Sequence, residues 1–150
     1  MKPMLRAILY GGLVVGALDL LDAVIFFGAR GAAPIRIFQS IAAGAHGRAA
    51  FQGGWHAAAL GIAFHFIIAF LIVTAFCLIS RQFPALVEHP IASGIVYGVA
   101  VYFVMNYVVI PLSATTRGAF VWPVFINGIL IHAFGVGVPS ALFARMAVRQ

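Results

Sequence analysis

Hydrophobic positions in this chain fall into four long runs, separated by stretches that hold most of the polar residues. The runs cover about residues 7–27, 57–79, 91–112 and 120–144. Each matches the ~20 mostly apolar residues that a helix needs to cross a bilayer. None alternates apolar with polar, as the strands of a transmembrane barrel do. A backbone in lipid must satisfy its own hydrogen bonds, so unbroken apolar runs of this length predict helices. The fold expected is all-α: a single membrane domain over residues 1–150, built as a four-helix transmembrane bundle.

The first run has Lys2 and Arg6 before it, in the manner of a signal peptide. Asp19 and Asp22 interrupt it, and no small-x-small cleavage site follows. It reads as a retained span. Orientation rests on cations in the connections. Lys2, Arg6, Arg81, Arg145 and Arg149 fall on one side, and Arg30, Arg36, Arg48 and Arg117 on the other. The small excess favours N- and C-termini inside.

The first connection, residues 28–56, is the longest. Pro34 suits the first position of a short helix. From there Ile35, Phe38, Ile41, Ala42 and Ala45 share one face, while Arg36, Gln39 and Ser40 point elsewhere. With three arginines and no acid, it reads as an interfacial helix on anionic headgroups, contacted by Arg30, Arg36 and Arg48. An ordinary basic loop, or a re-entrant segment capping the bundle, fits the same residues. Gly53 and Gly54 give a flexible entry to the second run.

Composition narrows the class. The chain is 64% hydrophobic and 8% charged, against roughly 45–50% and about 25% in soluble domains. That excludes a soluble enzyme, a disordered chain and a nucleic-acid-binding domain. The net charge of +6 comes from scarce acids, nine Lys and Arg against three Asp and Glu. The expected partners are the lipid bilayer and a second copy or another membrane protein, with no nucleic acid. Cys77, alone in the sequence, excludes an internal disulfide and a cysteine-rich metal site, and reads as a small buried hydrophobe.

The halves of the chain resemble each other. Ile8, Tyr10 and Gly11 match Ile95, Tyr97 and Gly98, and Asp19 falls opposite Asn106. Gly61, Ile62, His65 and Phe76 match Gly128, Ile129, His132 and Phe143. Two spans per half would make the copies parallel repeats, related by an axis along the membrane normal.

Ionisable groups inside a membrane are costly, and so mark functional candidates. Asp19 lies eight residues before the end of the first run, and His65 eight after the start of the second. A rise of 1.5 Å per residue puts both roughly 12 Å from the same face. Asn106 and His132 fall near that level, with Asp22 closer to the surface. Gly12, Gly16 and Asp19 share a helix face, as do Gly61, His65 and Ala69, and Gly128, His132 and Gly135. Small residues mark close helix approach, as in Gly12-xxx-Gly16 and Gly94-xxx-Gly98. The polar groups therefore point into the bundle.

Three roles fit such a cluster of Asp19, Asp22, His65, Asn106 and His132. Interhelical hydrogen bonds could fix register at about 1 kcal/mol or less each. A histidine beside a carboxylate could pass a proton or cation. A haem or divalent metal could sit between His65 and His132, oriented by Asp19. A lipid or small hydrophobic ligand is a further occupant. No cofactor is assigned on this pattern. No phosphate loop and no nucleophile–base pair occurs, so no catalytic residue is named and a non-enzymatic role is expected. Trp55, His56, Trp122 and Pro123 sit at span starts and read as interface anchors. Tyr97, Tyr102 and Tyr107 read as packing or anchoring residues, His46 and His89 as solvated ones. Pro111 and Pro139 would end or kink their helices.

One resemblance adds to this. Gly61-Ile62-Ala63-Phe64-His65 is followed eighteen residues after the histidine by Phe83-Pro84. A Gly94-xxx-Gly98 span then closes in Val-Ile-Pro-Leu-Ser. This pattern resembles the YagU-like family of small bacterial inner-membrane proteins. The resemblance implies a helical bundle in a bacterial inner membrane. It carries no activity or ligand. His65 is the one position it marks, without a role. The long first connection departs from the family pattern.

Overall fold

The structure is a computed structural model that describes residues 2–116 and 118–148. Among these residues all regular structure is helical. Helix α1 covers Pro3–Gly28 and α2 Pro34–His46, followed by a 3-10 turn, Gly47–Gln52. Helix α3 covers Gly54–Gln82 and α4 the single turn Ala85–Glu88. Helices α5 and α6 cover Pro90–Leu112 and Trp122–Val148. Four of these, α1, α3, α5 and α6, are long and apolar enough to span a membrane. Arg117 and Arg149, two of the cations that bear on orientation, lie outside the described residues.

Proline opens α1, α2, α5 and α6. Its fixed φ suits the first turn, where its missing N–H is not needed. Pro123 is the reason α6 starts at Trp122, two residues later than the apolar pattern alone indicates. Gly47, with φ +59°, closes α2, and Gly54, with φ +53°, turns the chain into α3.

Helix α6 occupies the centre, against α1, α3 and α5, while α1 also packs along α3. At one end the bundle is solid. Val73, Phe76, Cys77, Ala141 and Ala144 are almost fully buried there. Tyr97 on α5 packs edge-on against Phe76, and its hydroxyl donates to the Ile72 carbonyl of α3 at 2.7 Å. Outward-facing side chains are apolar: Val96 is 70% exposed, Leu71 63% and Ile25 62%. Such a surface needs lipid as its solvent.

Two kinds of glycine contact hold the spans together. Gly94, Gly98 and Gly137 form a backbone-to-backbone seam between α5 and α6. A Cβ on Gly98 would run into the His132 carbonyl, and one on Gly137 into that of Gly94. The Gly12-xxx-Gly16 pair works otherwise. The sequence predicts close backbone approach there, but the two glycines are sockets for the rings of Phe70 and Phe66 on α3.

Helices α5 and α6 each widen by one residue per turn, over Met105–Val109 and Ile131–Gly137. The Ile110 amide bonds back to Met105 and the Val138 amide to Ala133, both i→i−5. A proline follows each widening, Pro111 and Pro139. Proline cannot donate to the ladder, and its ring collides with the carbonyl four residues back. The wider turn relieves that collision, so Pro139 neither ends nor breaks α6.

Helix α2 is fastened to the other end of the bundle. Gly61 of α3 lets the α2 backbone at Phe38 and Ala42 come into contact. The Ala114 amide donates to the Gly44 carbonyl, tying the α5–α6 connection to α2 at 2.8 Å. The apolar pattern places Gln39 on the solvent face and Ala45 on the buried one. Instead Gln39 is 3% exposed and donates to the Gly54 carbonyl, while Ala45 is exposed. The cause is that the buried face of α2 carries Gln39, Ala42 and Ala43, about a quarter of a turn from the one anticipated.

Candidate functional site

The end beneath α2 is hollow. The C-terminal half of α1, the N-terminal half of α3, the widened turn of α5 and the first half of α6 enclose a cavity of about 490 Å³. A second, of about 300 Å³, adjoins it. Both have Asp19, Ser40, Ile41, His65, Ile110 and His132 in their walls. Their volumes lie in the range of small-molecule sites.

The first cavity gathers the whole candidate cluster. Asp19, Asp22, His65, Asn106 and His132 all line it. Asp19 and Asp22, three apart on α1, lie on neighbouring positions of one face. His65 reaches across from α3 at the level of Gly16. Its Nε2–H donates to the Gly16 carbonyl at 2.9 Å, which leaves Nδ1 turned toward Asp19, 4.0 Å from Oδ2. With Nε2 protonated, a neutral ring presents a lone pair to that carboxylate. The arrangement is favourable once a further proton lies between them, on the ring, on the carboxylate or on a bridging water. The pair is partly open, with His65 13% and Asp19 27% exposed.

The other members are held locally. His132 uses Nδ1–H to donate to the Gly128 carbonyl one turn earlier, at 2.9 Å, and its ring meets Tyr102 edge-on. Asn106 donates to the Tyr102 carbonyl of its own helix at 3.0 Å. Neither therefore ties helices together through that bond. Both stand in the widened turns of α5 and α6, a geometry frequent at functional positions. His65 and His132, which the halves pair by sequence, have different partners: one bonds to a neighbouring helix, the other to its own.

Asn127 is a member that the sequence pattern did not single out. Its amide donates to Asp22 Oδ2 at 2.7 Å, joining α6 to α1. An asparagine seven residues into an apolar run is the signal that points to it. Arg36 is the other addition. It lines the cavity, while its guanidinium donates to the Phe51 carbonyl at 2.8 Å and reaches Gln39 Oε1 at 3.4 Å. Arg30 folds over the Phe26 ring, 3.5 Å from its centroid, and donates to the Phe26 carbonyl. Arg48 is exposed on the turn after α2. His46, read as solvated, also stacks against Phe64. Trp55 and Trp122 are both well exposed at the same end of the bundle.

Among the described residues, no group of three or more His, Cys, Asp or Glu side chains could hold a metal ion. The His65–Asp19 approach is the one contact of ion-pair distance among them, ionic only when the ring is protonated. Compared with protein-family models, curated proteins and solved structures, the chain finds no match.

Proposed function

We propose that this chain is a small multi-pass protein of a bacterial inner membrane, acting in transport or membrane homeostasis. Its working part is the chamber beneath α2, which admits a small solute or a proton to Asp19 and His65. One observation carries this reading. Five polar side chains from four spans line a cavity of about 490 Å³, and no hydrogen bond joins one of the five to another. A cluster that served only to fix helix register would close into mutual hydrogen bonds. This reading is non-enzymatic. It keeps the resemblance to the YagU-like family as part of the proposal, and the lipid bilayer and a second copy or another membrane protein as partners.

The test is flux. Wild type, Asp19→Asn and His65→Ala are reconstituted in liposomes containing a pH-sensitive dye, and a pH gradient is imposed. Wild type is expected to collapse the gradient faster than empty vesicles, with both variants near background. Equal rates in all four preparations would contradict the proposal.

A second reading draws on two bonds of the polar cluster that cross between spans, His65 to Gly16 and Asn127 to Asp22. Here the polar layer fixes the bundle as an assembly partner for other membrane proteins. It predicts that the same variants lose stability in detergent and alter no flux.

A further inference from the structure

Three features of the double cavity have a bearing on what it holds. The first is charge. Asp19 and Asp22 contribute two carboxylates to its wall, and neither meets a Lys or Arg within ion-pair distance among the described residues. Asp22 is held by a neutral amide, that of Asn127. The single guanidinium of the wall, Arg36, donates to the Phe51 carbonyl and the Gln39 amide oxygen instead. Carboxylates in a low-dielectric wall gain most from a cation that enters with a ligand. The second is the lining of the adjoining chamber. Asp19, Ser40, His65 and His132 are shared with the first cavity and Ser113 and Thr115 close one side; the rest of its wall is apolar, chiefly Val15, Ile68, Ile72, Met105, Val109 and Val136. The third is continuity. Asp19 stands in both walls, so a charged head beside it has an apolar space next to it.

We infer that the double cavity binds an amphipathic ammonium compound, its head beside Asp19 and Asp22 and its hydrocarbon body in the adjoining chamber. This rests on the reading of the chamber as a solute site and names the solute's class. The head gains charge-assisted hydrogen bonds, with the Asn106 carbonyl oxygen and the Ser40 hydroxyl as further acceptors in the same wall. The body gains burial among the aliphatic side chains. An anionic head meets two carboxylates there against the single guanidinium of Arg36, which is already engaged with Phe51 and Gln39, and this balance disfavours it. The ammonium could belong to a free alkylamine or to a lipid with an amine headgroup.

The test is equilibrium binding to the full chain in phosphatidylcholine nanodiscs, with empty discs subtracted. The probes are isotope-labelled octylammonium, octanol and octanoate, with a lysophosphatidylethanolamine as the lipid amine. Octylammonium or the lipid amine is expected to bind saturably, about tenfold or more tighter than octanol, the value of a charge-assisted bond. The tighter of the two identifies the source. Asp19→Asn and Asp22→Asn should each weaken that binding about tenfold and leave octanol unchanged. Ile110→Phe, which narrows the junction of the chambers, should weaken octylammonium but not methylammonium. Octanol and octanoate binding as well as octylammonium, with no effect of Asp19→Asn, would overturn the ammonium and leave the solute site standing. No saturable binding of any probe overturns both.

Discussion

The two ends of this bundle are built from the same four helices and have opposite interiors. At the end holding Val73, Phe76 and Ala144, side chains interlock with almost no exposure. At the end beneath α2, the same helices line two cavities and carry the acids, amides and histidines Asp19, Asp22, His65, Asn106, Asn127 and His132, whereas the buried polar groups of the packed end are the hydroxyls of Ser80 and Ser140. The change falls where α5 and α6 widen, over Met105–Val109 and Ile131–Gly137. Each widened turn inserts a residue into the ladder and rotates the two flanking parts of its helix relative to each other. Asn106 and His132 ride on those turns. The difference teaches that stability and candidate chemistry are separated along the membrane normal, one at each end.

Substitutions at the packed end should therefore cost most in stability. Phe76→Ala removes a ring that is 1% exposed and edge-packed on Tyr97. It should destabilise the bundle by about 3–5 kcal/mol, read as a large drop in the thermal midpoint in detergent. Gly98→Ala comes next. Its Cβ meets the His132 carbonyl, which is backbone and has no rotamer to give, so a loss of about 1–3 kcal/mol is expected. Gly12→Ala, facing the ring of Phe70, should lose less, because a side chain can move.

Substitutions at the hollow end should move function and little else. His65→Ala removes one interhelical bond, to Gly16, and should cost about 1 kcal/mol. Asn127→Ala removes the bond to Asp22 at a similar cost and should also raise the flux or binding of competing cations, since Asp22 is then unheld. Asp19→Asn should change the midpoint least of all, because its one close partner is 4.0 Å away, and abolish the flux. A His65→Ala protein that melts as far down as Phe76→Ala would erase the contrast between the two ends.

The spans were legible because a bilayer demands long apolar runs, and nothing else in the chain imitates them. The polar cluster was legible because acids and histidines are costly at that depth: Asp19, Asp22, His65, Asn106 and His132 share one wall. What escaped depends on contacts between elements far apart in sequence. Gly61 reads as part of a small-residue stripe facing another span, yet it seats α2. Gln39 reads as a solvent residue, and is buried by that seating. Unlike Asn106, Asn127 falls opposite no acid when the halves are paired, and its partner Asp22 is 105 residues away. The proposed repeat shows the same limit. The offset that pairs Gly61 with Gly128 also pairs Phe70 with Gly137 and Ile72 with Pro139. The α1–α3 pair thus docks rings into Gly12 and Gly16, while the α5–α6 pair runs backbone on backbone at Gly94, Gly98 and Gly137 and keeps a ring socket at Gly128.

The contrast between the ends predicts that water reaches the cavity beneath α2 and not the packed end. The chain carries its own reference for this, since Cys77 is buried in the packed end. The measurement is reaction of a membrane-impermeant maleimide with wild type and with Asn106→Cys in a Cys77→Ser background, both in liposomes of known orientation. Asn106→Cys should be labelled readily from the side that holds α2, with Cys77 of wild type left unreacted. An Asn106→Cys thiol as inert as Cys77, or one labelled only from the opposite side, would contradict the account.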